Sequence, residues 1–314
     1  MRWREGAAGH SIGICCLWVL GCLLISSQSA GAQIRGVYPL GMSAVNAGVT
    51  PEPGFSYANQ LLFYSRDESK GPDGEPVATG NNSVILAMHS FVWVAAREVL
   101  GGARFSMSAT LPLSNNSLTS DNAGAISGGG GLADSYYQPF ILGWTRPRMS
   151  IRAVYGFLAP TGEYSADSNS NVGSGYWTHV LSSGQTWRLT ADGATSVSTF
   201  QMYEFHTRQQ ETGVKPGDTL DFDYSVMRTV SWTEDVSLQF GLAGYHQWQT
   251  THKQTAAGTA AQPDSRYAVN AVGFAAAVAW PKRGVALGFK YLDEFLNRST
   301  FQGFSTQISG SVAF

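Results

Sequence analysis

The sequence predicts an all-β fold, a transmembrane antiparallel up-and-down β-barrel of about 12 strands with its N and C termini in the periplasm. Three observations predict it: an export signal, long segments of alternating apolar and polar residues, and connections that alternate between long and short. Composition agrees, because 13% of the 314 residues are charged, whereas about 25% is usual in soluble domains. The net charge of −2 argues against nucleic acid as a partner.

Residues 1–32 have the pattern of a cleaved secretory signal peptide. An apolar run at 12–25 follows two arginines, and an A-x-A cleavage pattern ends at Ala32. The run is too short for a membrane-spanning helix, which needs about 20 residues. Residues 19–22 loosely resemble a lipoprotein cleavage box, an alternative that the continuing apolar run disfavours. Every cysteine lies in this segment, so we expect no disulfide and no cysteine metal site in the exported chain.

The alternation is clearest in VSLQFGLAGYHQWQT, residues 236–250. One set of alternate positions includes Phe240 and Leu242, and the other set is polar or small, which indicates a strand with one apolar face. The stretch is longer than most soluble strands, which run about 3–10 residues, and crossing a membrane at a tilt explains its length. Trp248 and Tyr245 near its end fit an interfacial aromatic girdle.

Twelve segments carry this alternation, although residues 84–95 and 268–280 are in part apolar on both faces. The segments are 54–66, 84–97, 100–113, 134–147, 149–160, 173–191, 194–208, 217–231, 234–251, 265–280, 284–298 and 301–314. Long polar connections at 67–83, 114–133, 161–172, 209–216 and 252–264 alternate with short turns, whereas the last, at 299–300, is short where a long one is expected. Long loops on one rim and turns on the other are typical of outer-membrane barrels. A soluble β-sandwich or propeller is the alternative, which the strand lengths and the export signal disfavour.

The domain organisation is therefore a signal peptide at 1–32, a strand-free segment at 33–53 and a barrel at 54–314. Two interpretations of residues 33–53 stand: a flexible periplasmic leader, or a plug that folds back into the lumen. The plug is favoured, because apolar residues such as Tyr38 and Leu40 would be wasted in a solvated tail. The terminal Phe314, with apolar residues at alternate positions before it, fits the signal that the barrel-assembly machinery recognises.

Strand parity predicts a set of ionisable side chains in the lumen. The candidates for the lumen and the solute path are Arg104, Arg152, Glu204, Asp221, Asp223, Lys290 and Glu294. Because both signs are present and buried charges need partners, we expect mainly ion pairs across the lumen, with direct selection of solute as the alternative. Trp177, with Tyr176 and His179, is a further candidate that fits either the lumen wall or the lipid-side girdle.

We predict no catalytic residue, no metal site and no cofactor. None of the histidines lies in a recognisable serine-containing signature, and His206 beside Glu204 fits an acid–base pair or an ordinary lumenal pair. The glycine run at 128–131 neither follows a strand nor opens a helix, so it is not a phosphate-binding loop. These features favour a barrel that is not an enzyme.

Six stretches together resemble a known family. They are RGVYPLGMSAVNAGVTPEPGFSY (35–57), QPFILGW (138–144), YGFLAPTGEY (155–164), GSGYWTH (173–179), YEFHTRQQETGVKPGDTLDFDY (203–224) and GYHQWQ (244–249). They look like outer-membrane proteins named after the meta-cleavage pathway of phenol degradation. The resemblance implies a Gram-negative outer-membrane barrel, embedded in lipid, that admits small hydrophobic or aromatic compounds by passive diffusion.

The expected strand number bears on transport as well. About eight strands leave an interior filled by side chains and about sixteen leave a wide aqueous channel, so twelve fit a narrow pore or a plugged lumen. A general porin is therefore disfavoured. The alternative is a structural or ligand-binding outer-membrane barrel with no transport role.

Overall fold

A computed structural model describes residues 35–120, 124–168, 170–260 and 265–314, so the signal peptide expected at 1–32 lies outside the described residues. The strands are β1 (Gly54–Lys70), β2 (Pro76–Val99), β3 (Ala103–Ser120), β4 (Gly124–Leu132), β5 (Ser135–Arg146), β6 (Met149–Ala159), β7 (Thr178–Arg188), β8 (Thr195–His206), β9 (Thr219–Thr233), β10 (Val236–Gln249), β11 (Ala268–Trp280), β12 (Val285–Glu294) and β13 (Phe301–Ala313). In these ranges no helix has the length and apolar character needed to cross a membrane.

Antiparallel pairing closes the sheet into a ring. β1 pairs with β2 on one side and with β13 on the other, so the first and last strands seal the barrel. β3 passes from β2 to β5, whereas β4 pairs with the outer part of β3 and forms a hairpin beyond the ring. The wall therefore has twelve strands, as the sequence predicts, with β4 as an addition to one connection.

The connections define two rims. Short connections at 100–102, 147–148, 189–194, 234–235 and 281–284 form the turn rim, and the connections at the other end form the loop rim. The expected long loops at 67–83 and 114–133 are largely strand, since β1 and β2 extend to a turn at 71–75 and β4 returns along β3. The last connection spans 295–300 and is no longer than the turn-rim connection at 189–194, so the exception to the alternation remains.

The two faces of the wall differ as expected for a barrel in lipid. On β10, Phe240 and Leu242 are 51% and 64% exposed on the outer face, and Tyr245 and Gln247 are buried inside. The expectation that Tyr245 joins an aromatic girdle is wrong, because its position shares the parity of the polar set. Its hydroxyl instead donates to Glu294 in the interior, at 2.9 Å.

A polar patch lies on the outer face, halfway along β7 and β8. Ser183 lies opposite Gln201, and Gln185 lies opposite Thr199. The four side chains bond to one another: Ser183 Oγ donates to Gln201 Oε1 at 3.0 Å, Gln185 Nε2 to Ser183 Oγ at 3.1 Å, and Thr199 Oγ1 to Gln185 Oε1 at 2.8 Å. Because these side chains hydrogen-bond to one another, the free-energy cost of placing them in hydrocarbon is smaller.

Candidate functional site

Residues 35–53, which we name the lumenal segment, run through the interior of the barrel from the loop rim to the turn rim. At the loop rim Arg35 Nη1 lies 2.8 Å from Glu294 Oε1, at the end of β12. At the turn rim Glu52 Oε2 lies 3.4 Å from Arg104 Nη1, at the start of β3.

Glu204 binds the first turn of the lumenal segment through its backbone. The amide of Val37 donates to Glu204 Oε2 at 2.9 Å and that of Tyr38 to Oε1 at 2.8 Å. His206 Nε2 lies 3.5 Å from Glu204 Oε2. The neighbouring Asp221 accepts from Gln247 Nε2 at 2.6 Å. Hydrogen bonds to a carboxylate are about twice as strong as neutral ones, so Glu204 fixes the segment firmly on β8.

Asp223 binds the next part of the segment. Its Oδ2 accepts from the Tyr38 hydroxyl at 2.6 Å and from the Ser43 amide at 3.1 Å, and its Oδ1 accepts from the Gly41 amide at 3.2 Å. Asp223 thus closes the chain from 38 to 43 into a compact turn against β9.

Donors of the wall bind the carbonyl groups of the same stretch. Lys290 Nζ donates to Gly41 O at 2.6 Å, Gln307 Nε2 to Leu40 O at 2.9 Å, and Ser225 Oγ to Ala44 O at 2.6 Å. Both the donors and the acceptors of the segment backbone are therefore satisfied by side chains of β8, β9, β12 and β13. The segment replaces in this way the water that would otherwise solvate these lumenal groups.

Glycines in the wall let the segment cross to the opposite side near the turn rim. A Cβ atom at Gly184 of β7 would collide with the carbonyl oxygen of Ala47, and one at Gly143 of β5 would collide with the side chain of Thr50. Between these contacts the amide of Gly48 donates to Thr186 Oγ1 at 3.0 Å. The backbone of the segment therefore lies directly on the wall of β5 to β7.

A cavity of about 580 Å³ remains between the lumenal segment and the wall formed by β1 to β3, β5 and β6. Its apolar lining includes Leu86, Met88 and Val154, and its hydroxyl groups include Ser90 and Thr110, which bond to each other at 2.8 Å. Mostly apolar walls with a few placed polar groups, enclosing about 300–1,000 Å³, are typical of small-molecule sites. This space, which we name the lumenal cavity, is the candidate functional site.

The structure divides the charged candidates between three places. Glu204, Asp221, Asp223, Lys290 and Glu294 are buried and lie around the lumenal segment. Arg104 lies at the turn rim against Glu52, and Arg152 lines the lumenal cavity. Glu204, Asp223 and Glu294 thus bind the segment, whereas Asp221 accepts from Gln247 of the neighbouring strand. Arg35, which carries the ion pair, lies outside the strands, where parity gives no information, so no sequence signal identified it.

Trp177 does not lie on the lumen wall, which is one of the two places that the sequence left open for it. It is 44% exposed, and its ring packs on Phe157 with centroids 5.9 Å apart. Phe157 points outward, because Val154 and Leu158 of the same strand line the cavity. Trp177 therefore belongs to the outer aromatic surface, and the adjacent Tyr176, 1% exposed, is the residue that turns inward. The described residues contain no cluster of three or more His, Cys, Asp or Glu that could hold a metal ion.

Comparison with solved structures gives a clear fold match. The chain is similar to an outer membrane channel from Pseudomonas putida F1, with a TM-score of 0.68, 16% identity, and coverage of 86% of this chain and 98% of that one. The β domain of a Bordetella autotransporter matches with a TM-score of 0.47, 11% identity and coverage of 83% and 100%. The TodX monoaromatic hydrocarbon channel matches with a TM-score of 0.38, 9% identity, and coverage of 84% of this chain and 90% of that one.

Sequence comparison identifies the family. Comparison with curated protein sequences gives no significant match. The family described as "Putative MetA-pathway of phenol degradation" matches residues 65–309, which is most of the chain and nearly all of the barrel. The protein therefore belongs to this family.

Proposed function

We propose that the protein is a passive outer-membrane channel for small hydrophobic or aromatic compounds, with the lumenal cavity as its solute path. The observation that carries the proposal is the uneven filling of the lumen. The segment is bonded tightly to β8–β13 and leaves a largely apolar space along β1–β6. An apolar ring can exchange water for contact with Leu86, Met88 and Val154.

The comparisons support the proposal by analogy. The family description links related chains to phenol degradation, and the P. putida protein is described as an outer membrane channel. Shared fold alone does not define a solute, so the aromatic specificity rests on the cavity lining. Twelve wall strands leave room for a narrow path beside a segment of chain, not for a wide pore.

The proposal includes an orientation in the Gram-negative outer membrane. The turn rim, where Phe314 donates its amide to Phe55 O at 2.9 Å, faces the periplasm, and the loop rim faces outside. Export through the signal peptide at 1–32 and recognition of Phe314 by the assembly machinery precede insertion. The apolar outer wall contacts lipid, and the lumenal segment acts as a fixed plug that narrows the path.

Solute flux into liposomes tests this function. Phenol should enter liposomes that carry the refolded barrel faster than protein-free liposomes, whereas erythritol, a small sugar alcohol, should show no excess. Val154→Trp should abolish the excess, because residue 154 faces the cavity. Ala153→Trp, on the outer face of the same strand, is the matched control and should retain it.

The remaining outcomes also discriminate. Excess flux for erythritol as well would indicate an open aqueous pore. No excess for either solute would favour the second candidate, a structural or ligand-binding barrel without a transport role. The number of bonds that hold the segment in the lumen favours that candidate specifically.

A further inference from the structure

We propose that the lumenal cavity binds the carboxylate of a small carboxylic acid with an apolar, ring-sized body, and that Arg152 is the residue that binds it. This inference rests on the proposed function, because it concerns the same cavity and specifies its solute class. It starts from a charge that the fold leaves unpaired.

Arg152 has no acidic partner in the ranges that the structure describes. Its Nε is buried without a hydrogen bond, and no carboxylate lies within ion-pair distance of its guanidinium. The other charged residues that line the cavity, Arg35 and Asp134, already have partners within the chain. Arg35 pairs with Glu294, and Asp134 accepts from the amides of Gly162 and Ser174 at 3.1 and 2.8 Å. A buried cation without a partner is costly, so an anion from outside the chain would relieve a real deficit.

The wall around Arg152 leaves its guanidinium accessible from the cavity. In register it lies between Gly143 of β5 and Gly184 of β7, so neither neighbouring strand covers it with a side chain. Ala47 of the segment contacts the wall at Gly184. The segment also packs on Gly143 through Thr50, yet the Arg152 side chain still lines the lumenal cavity.

The rest of the cavity suits an apolar body rather than a bare anion. Leu86, Met88, Val154 and Leu158 line it, and its volume of about 580 Å³ far exceeds that of an inorganic anion. Tyr136 adds an aromatic wall whose hydroxyl accepts from Gln138 Nε2 at 3.0 Å. Guanidinium binds carboxylate through two parallel hydrogen bonds, which fixes the orientation of the acid.

The lumenal acids do not oppose this assignment. Glu204 and Asp223 accept hydrogen bonds from backbone amides of the segment, which stands between them and the cavity. Asp221 accepts from Gln247, and none of these three acids lines the cavity. Arg152 is the remaining lumenal charge that faces free space in the described part of the chain.

Binding of benzoate and of benzamide, its neutral isostere, tests the proposal. Calorimetry with the full folded barrel in detergent should show benzoate binding about tenfold or more tightly than benzamide, as expected for hydrogen bonds to a charged partner. Arg152→Gln should lower benzoate affinity to that of benzamide and leave benzamide binding unchanged. Arg152→Lys should keep part of the preference. Arg104→Gln, at the turn rim, is the control that should change neither.

The proposal is overturned if the unmodified barrel does not prefer benzoate, or if the preference survives in Arg152→Gln. Heat-modifiable electrophoretic mobility confirms that each variant is folded. Phenol flux, measured on the same preparations, separates the two proposals. If the unmodified barrel passes phenol but does not prefer benzoate, only the role of Arg152 is refuted. If the unmodified barrel passes no phenol, the channel function itself is refuted.

Discussion

Arg35 and Glu294 form an ion pair inside the barrel, with Nη1 and Oε1 2.8 Å apart, and join the start of the lumenal segment to the end of β12. Glu294 also accepts hydrogen bonds from the hydroxyls of Tyr64 and Tyr245, at 2.8 and 2.9 Å. Because donors from both the wall and the segment bind this carboxylate, its removal should destabilise both.

Loss of one member of this pair should be costly. Arg35→Gln leaves the buried Glu294 without its cation, and breaking such a pair typically costs about 3–5 kcal/mol. We expect a lower free energy of unfolding in urea and faster hydrogen exchange at the amides of residues 36–43. Arg104→Gln is the control, because its partner Glu52 is 89% exposed, and it should change stability little. Equal losses in the two variants would contradict this account.

Removal of the acids that hold the segment backbone should open the lumen. In a Glu204→Ala, Asp223→Ala double variant, the amides of residues 37, 38, 41 and 43 lose their acceptors. We expect a larger single-channel conductance in planar bilayers and a new flux of erythritol into liposomes. Asp235→Ala at the exposed turn rim, where Asp235 pairs with Lys282, should leave conductance unchanged. Unchanged conductance in the double variant would show that the segment does not limit the path.

The glycine contact in β7 gives a steric test of the same idea. Gly184→Val should displace the segment, because even one Cβ atom there would collide with the carbonyl oxygen of Ala47. We expect a protease to cleave within residues 40–50 of the variant and not of the unmodified barrel. Gly310→Ala is the control, since its Cβ atom would meet Leu287 Cδ2 at 3.4 Å, an ordinary contact. Protection of the segment in Gly184→Val would refute this packing.

The outer wall should respond to charge according to depth. Leu242, 64% exposed and halfway along β10, should lie near the middle of the hydrocarbon. Leu242→Arg should therefore destabilise the barrel in bilayers by about 2–4 kcal/mol. Val99→Arg, at the turn-rim end of β2, should cost about 0–1 kcal/mol. Similar costs at the two positions, measured by urea unfolding in liposomes, would argue against a lipid-facing belt.

Sequence reasoning predicted the barrel because the lipid imposes one simple rule on every wall strand. Outward Leu242 and inward Gln247 follow that rule, and so does Glu204. The rule gives no information on Arg35 or Tyr38, which lie in a segment without periodicity. The rule also gives no placement for Trp177, because this residue precedes β7. Its contact with the outward Phe157 places Trp177 on the outer face. The unpaired state of Arg152 depends on distances between strands that are remote in sequence, which no local pattern contains.

The bonds that hold the lumenal segment come mostly from its backbone, which has a consequence for how the two parts of the chain relate. The barrel at 54–314 behaves as a receptor, and residues 35–53 behave as its tethered peptide ligand. A tether of this kind supplies an effective concentration in the millimolar range. A synthetic peptide of residues 35–53 should therefore bind a barrel that lacks them, tolerate most side-chain replacements at residue 37, and reject proline at residues 37 and 41. Gly41 should not tolerate replacement, because its φ is +76° and a Cβ atom there would collide with Leu292.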